Sequence, residues 1–229
     1  MAESGEILEI DSTKRFRRQV AVHEAGHAVV AWWVSSVVKQ VSLANQDYSV
    51  RTIYGLESDV HGLAHSTSQT LPALTRLPGL LNCPMEDIPI GCNLITPEVR
   101  DAIERDLLVT ISGVVAESIY SGISLSNLWI NTGRSDSETI EKYIKAYKAL
   151  CPIDEDTEFL YLQTLERSQR LIHARWNDVM AVANALESNN TIYCDQFYDL
   201  MESMTGYRIV GIELSAIDSI NLPPEAPIY

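Results

Sequence analysis

The chain has 229 residues, of which 46% are hydrophobic and 21% charged, and it carries a formal net charge of −14. Those values fit a folded globular protein of one-domain size and exclude a disordered or membrane chain. The negative balance opposes binding to phosphate backbones, which rests on neutralisation by Lys and Arg, so no nucleic-acid partner is expected.

The N-terminus, Met1 to Glu6, is acidic and lacks the basic-then-apolar layout of a secretory signal. Cys83, Cys92, Cys151 and Cys194 form no Cys-x-x-Cys pair, so neither a structural zinc knot nor a redox motif is indicated, although Cys83 and Cys92 share one loop and could bridge if oxidised. Reduced thiols and a cytoplasmic location are expected. The basic cluster Lys14 to Arg18 reads as a solvated first helical turn.

Residues 1–12 read as a flexible N-terminus, 13–205 as one domain and 206–229 as a tail. Ser12 and Thr13 offer an N-cap for a helix running from Lys14 to Val38. Its apolar stretch, Val20 to Val41, contains His23, Glu24, His27 and Lys39, which makes a buried core helix simpler than a membrane span. Short strands follow at Val41 to Leu43 and Ser49 to Tyr54, with an edge strand at His61 to Thr67. Leu71 to Pro97 holds five prolines and predicts a long loop or lid.

Thr96 and Pro97 suit the start of a helix that continues through Ile119 and stops near Gly122. A linker from Ser124 to Gly133 leads to a helix over Asp136 to Leu150, ending before Cys151-Pro152. Two more helices are expected at Asp156 to Ser188 and Cys194 to Met204, joined by a turn at Ser188 to Asn190. The tail offers a strand at Tyr207 to Leu214.

His23-Glu24-Ala25-Gly26-His27 matches His-Glu-x-x-His. Residues four apart share a helix face, so both imidazoles can reach one zinc ion while Glu24 addresses the metal-bound water as general base. The metal would lower the pKa of that water and polarise a scissile carbonyl. The alternative, a chance grouping on a core helix, requires three ionisable groups to be buried at high cost, whereas a metal supplies their partner. Metzincins are excluded, because Val30 and Trp33 occupy the places of their glycine and third histidine.

The wording His-Glu-Ala-Gly-His-Ala-Val-Val resembles the peptidase domain of the FtsH family of AAA+ proteases. Downstream, Arg105 to Gly122 is similar to that family's helix ending in Gly-Gly-Arg-Ala-Ala-Glu-Glu, with Val114 in place of the arginine. Thr132-Gly133-Arg134-Ser135-Asp136 resembles the family's Thr-Gly-Ala-x-x-Asp segment, with the aspartate one residue early. The resemblance implies a mainly α fold with a small β-sheet (α+β), zincin-like, with a helical C-terminal extension. It also implies zinc held by His23, His27 and Asp136. The family's ATPase module and transmembrane anchor have no counterpart in these residues, so ATP-independent cleavage of flexible or unfolded polypeptide is expected, with no membrane partner. Related domains assemble into rings, which leaves a homo-oligomer open.

Asp136 competes for the third ligand position with Glu57, Glu117 and Glu138. Ser135 and Glu138 have the spacing of a capping box, which gives Glu138 a structural task. Glu117 could orient a zinc-bound histidine by a hydrogen bond, or be a buried carboxylate satisfied by backbone or arginine. By resemblance, Gly62, Leu63, Ala64 and His65 belong to an edge strand that a peptide could extend, and an ordinary exposed strand is the alternative. His61 and His65 would stand roughly 13 Å apart on a strand, too far for one ion. His173 is taken as structural or exposed. Gly26 inside a helix suggests close packing against it. The competing functions are a peptidase-fold binding protein acting as adaptor or regulator, and a metal-dependent hydrolase of another substrate.

Overall fold

The computed structural model describes residues 3–45, 48–80, 94–151 and 157–223. It is mainly helical with a small antiparallel sheet. The long helix α1 (Glu3–Trp33) runs through the middle, and from Val20 to Val34 every residue is buried. It packs on α3 (Pro97–Ser121) and α7 (Trp176–Asn189), and against the sheet strands β1 (Val38–Leu43) and β4 (Gly62–Ser66). That encirclement explains why the helix is apolar on all faces. No helix among the described residues is long and apolar enough to cross a membrane.

Gly26 is where α1 and α3 come closest. A Cβ there would lie 2.7 Å from both the Ala116 Cβ and the Ser112 carbonyl oxygen, so only glycine allows this approach. The expected N-cap at Ser12 and Thr13 is not used, because α1 already runs through them from Glu3. At its other end the helix stops at Trp33, short of Val38. Ser35 takes a left-handed φ of 66°, and Ser36 N–H donates back to the Ala31 carbonyl.

The main sheet has the order β4-β1-β5, all antiparallel, which leaves β4 at an edge as expected. Its third strand, β5 (Thr191–Tyr193), lies just past the expected turn. Asn190, at φ 61°, ends α7 and turns the chain onto β1. Strands β2 (Ser49–Thr52) and β3 (Gly55–Ser58) form a separate hairpin.

Several expectations are corrected. Leu71 to Pro97 is not irregular throughout, since α2 (Thr70–Leu80) forms there, while Cys83 and Cys92 lie outside the described residues. Asp106 of α3 stabilises its start, accepting from Ser68 Oγ at 2.6 Å, Gln69 N–H at 2.8 Å and Thr70 N–H at 2.9 Å. Burial and the Asp106 charge push the nearby Tyr143 hydroxyl up to about 12. The linker after Gly122 contains the short helix α4 (Leu125–Ile130) before α5 (Arg134–Leu150).

The single helix expected over Asp156 to Ser188 is two, α6 (Thr157–Ala174) and α7, broken at Arg175, whose guanidinium lies 3.8 Å from the Trp33 ring centroid. After α8 (Cys194–Thr205), residues 207–212 form no strand. They run across the end of α1, where Trp32 Nε1 donates to the Arg208 carbonyl and Ile212 N–H to the Trp33 carbonyl. Buried Arg105 completes this junction by donating to the carbonyls of Val34 and Ile212, supplying positive charge at a helix C-terminus that has no basic residue of its own. The short α9 (Leu214–Ile217) follows.

Replacing Asp106 with alanine would strip the acceptor from two backbone N–H groups at the start of α2. A loss of about 1–3 kcal/mol in urea-induced unfolding is expected. A change of about 0.5 kcal/mol or less, typical of an indifferent surface site, would remove this carboxylate from its capping role.

Candidate metal centre

Phe16, Val20, His23, Glu24 and His27 recur at helical spacing along α1 and line a cleft of about 720 Å³. Residues 62–66 of β4 form one wall, and Thr132, Ser135 and Asp136 stand opposite. His23, Glu24 and His27 are all buried.

The inner nitrogen of each ring is held from behind. His23 Nδ1 lies 2.9 Å from Glu117 Oε2, and His27 Nδ1 lies 2.8 Å from the Val109 carbonyl oxygen. Both partners are acceptors, so each Nδ1 carries the proton and donates. In the neutral rings this turns both Nε2 lone pairs toward the cleft. The two Nε2 atoms are 3.0 Å apart, and Asp136 Oδ2 is 3.0 Å from that of His23 and 3.5 Å from that of His27.

Three acceptors facing one point repel each other unless positive charge lies between them. Donor atoms about 2.0–2.1 Å from a tetrahedral ion stand roughly 3.3 Å apart, which falls within the observed 3.0 to 3.5 Å. Two imidazoles and a carboxylate are a donor set suited to zinc, with a fourth position left for water or substrate. The residues therefore fit the ion.

The ionisation equilibria agree with the geometry. Burial disfavours a charged His23 ring, but the hydrogen bonds to Asp136 and Glu117 outweigh it and hold the ring's pKa well above the ordinary range. Burial also opposes charging of His27, and the charge and hydrogen bond of Asp136 overcome it. Asp136 moves the other way: burial favours its neutral form, yet the two histidines keep the carboxyl well below the usual range. The pocket stabilises positive charge at the point where the three atoms converge.

Glu24 faces a different wall. Burial raises its carboxyl pKa, opposed by the two histidines, and the Ala64 backbone N–H donates to it. Gly62 makes room for it, since a Cβ there would lie 2.7 Å from Glu24 Oε1. Gly113, which the sequence did not single out, does the same for His27: a Cβ would fall 2.2 Å from Nε2. Its signal was its place in the run Ser112-Gly113 on the helix expected to pack against the motif.

The remaining candidates stand away from the point where the three atoms converge, although Glu117, Glu138, His61 and His65 also line the cleft. Glu57 is exposed on β3 and does not line the cleft. Glu138 is exposed and pairs with Arg134 at 3.4 Å. The capping box it was expected to form with Ser135 is absent, because α5 begins at Arg134 with Gly133 at the cap position and Ser135 is already helical. Asp136 sits in that first turn. Glu117 lies behind His23 rather than at the convergence point. His61 packs edge-on against Phe16 and Tyr48, and His65 lies against Tyr54, so the two form no paired site. His173 is half-buried, and burial lowers its pKa.

A scan against protein-family models finds no match to this chain, and a search of curated proteins finds none either.

Metal-free protein titrated with zinc should take up about one ion per chain. His23→Ala and His27→Ala should abolish uptake and Asp136→Ala should weaken it severely, while Glu57→Ala and Glu138→Ala keep wild-type affinity in competition with a chromophoric chelator. Unchanged affinity in Asp136→Ala would move the third ligand to another residue.

Adding a methyl group at Gly113 tests the steric requirement separately. Gly113→Ala should lower zinc affinity by displacing the His27 ring while leaving far-ultraviolet circular dichroism largely unchanged. Wild-type affinity in that variant would show that the ring has room to move.

Proposed function

We propose that this protein is a zinc metallo-endopeptidase resembling the FtsH peptidase domain, cleaving flexible or unfolded polypeptide without ATP. The observation that carries this reading is the convergence of His23, His27 and Asp136 in an open cleft, with Glu24 beside them and an edge strand along one wall. His23, His27 and Asp136 would hold the metal. When bound, zinc polarises a substrate carbonyl and brings the pKa of a coordinated water toward neutrality.

Glu24 then serves as general base. Its carboxylate accepts a proton from the attacking water and delivers it to the amine nitrogen as the peptide C–N bond breaks. The Ala64 N–H keeps this carboxylate oriented toward the cleft wall, and Gly62 allows its approach.

Strand β4 offers a means of holding an extended substrate. The His61 carbonyl and the Thr67 N–H bond inward, to Ala44 and Val37, while the Ala64 N–H reaches outward to Glu24. Strand alternation therefore directs the backbone groups of Gly62, Ala64 and Ser66 to the free edge, and those of Leu63 and His65 toward β1. A peptide adding to this edge must be extended and have unpaired backbone groups of its own, a condition met by flexible or unfolded segments rather than by folded strands.

Zinc-loaded wild type should cleave unfolded casein or short peptides, lose activity to chelators and be indifferent to ATP. Glu24→Gln should retain zinc while turnover falls by roughly 10²–10⁴-fold. Equal turnover in that variant would remove Glu24 as the base. A zinc-loaded wild type that cleaves nothing in a broad peptide library would favour a binding protein.

A further inference from the structure

We infer that Thr132 is a positioning residue of the metal centre: its hydroxyl fixes Glu117 and thereby links the orientation of His23 to the placement of Asp136. This inference rests on the zinc reading above. Glu117 is 2% exposed, and its Oε2 receives two donors, His23 Nδ1 at 2.9 Å and Thr132 Oγ1 at 2.9 Å. A carboxylate oxygen has lone pairs for both, and a buried carboxylate without enough donors is costly. With both bonds made, Oε2 is held between helix α1 and the segment joining α4 to α5.

That segment also carries Asp136. Gly133, the residue after Thr132, is pressed onto α3 so closely that a Cβ would lie 2.6 Å from Val114 Cγ2, while Trp129 Cε3 of α4 would be 3.1 Å away. Val114 and Glu117 are three residues apart on α3 and so lie on neighbouring parts of one face. The chain leaving α4 thus has two successive anchors on α3, a steric one at Gly133 and a polar one at Thr132. Helix α5 starts immediately afterwards and presents Asp136 from its first turn. The Thr132–Glu117 bond therefore joins the backing of one ligand to the segment that delivers another.

The test measures zinc affinity and the visible spectrum of cobalt-substituted protein for wild type, Thr132→Val, Thr132→Ser and Glu117→Ala, plus the Thr132→Val/Glu117→Ala double variant. Thr132→Val should weaken zinc binding roughly 10–100-fold, as loss of a ligand's hydrogen-bonded support typically does, and should shift the cobalt absorption bands. Thr132→Ser restores the hydroxyl and should recover wild-type affinity and spectrum. In the Glu117→Ala background, Thr132→Val should cause little further loss, because its effect passes through Glu117.

Thermal melts and circular dichroism accompany each variant, and Thr132→Ala repeats the measurement if the valine variant unfolds early. Wild-type affinity and spectrum in both Thr132→Val and Thr132→Ala would overturn the inference. So would a loss that persists undiminished without Glu117, which indicates loop packing alone. A wild-type protein that takes up no zinc would overturn the underlying metal reading, and that failure is visible in the wild-type measurement by itself.

Discussion

Helix α1 crosses α3 where Gly26 meets Ser112, Gly113 and Ala116, and the shortness of that approach sets the geometry of the centre. The absence of side chains at Gly26 and Gly113 lets the two backbones come close enough for the Val109 carbonyl to reach one imidazole and the Glu117 carboxylate to reach the other. Both rings are thereby turned by the same neighbouring helix. A wider crossing would leave their inner nitrogens without partners in a buried environment, which is costly.

Adjacent positions on α1 perform different tasks because consecutive residues on a helix point about 100° apart. His23 and His27 face α3 and Asp136, whereas Glu24 faces the edge strand and takes a hydrogen bond from Ala64. The two histidines and Glu24 therefore depend on separate walls of the cleft. The edge strand β4 thus lies beside Glu24, with the convergence of His23, His27 and Asp136 across from it.

Polar groups outside the centre are used mainly to terminate and join helices. Arg105 accounts for the end of α1, Asp106 for the start of α2, and Arg167 ties Glu104 of α3 to Asp218 beyond α9, with both contacts at 2.7 Å. Glu104, Arg105 and Arg167 are buried and ion-paired, and buried Asp106 is satisfied by neutral donors, as the cost of burying a charge requires. Arg105 and Arg167 fasten the C-terminal segment to α3 and α6.

What could be read from the sequence was whatever local rules govern. The spacing of His23, Glu24 and His27, the Thr96-Pro97 start and Gly122 stop of α3, and the strand expected at His61 to Thr67 and found at Gly62 to Ser66 each depend on residues within a few positions of one another. That Asp136 belongs with the two histidines was legible only by resemblance, since nothing local separates a carboxylate of the site from a favourable charge in a first helical turn. Tertiary structure decided that it meets the imidazoles and that Glu138 does not. It also decided the break at Arg175, where no glycine or proline marks the chain, and the pairing of β5 with β1, in which Ser42 and Thr191 are 149 positions apart in sequence. The tail segment over 207–212 has the composition of a strand but finds its hydrogen bonds at the end of α1 instead. In each case the deciding partner is distant in sequence, and backbone and carboxylate groups take whichever partner the packed fold brings within reach.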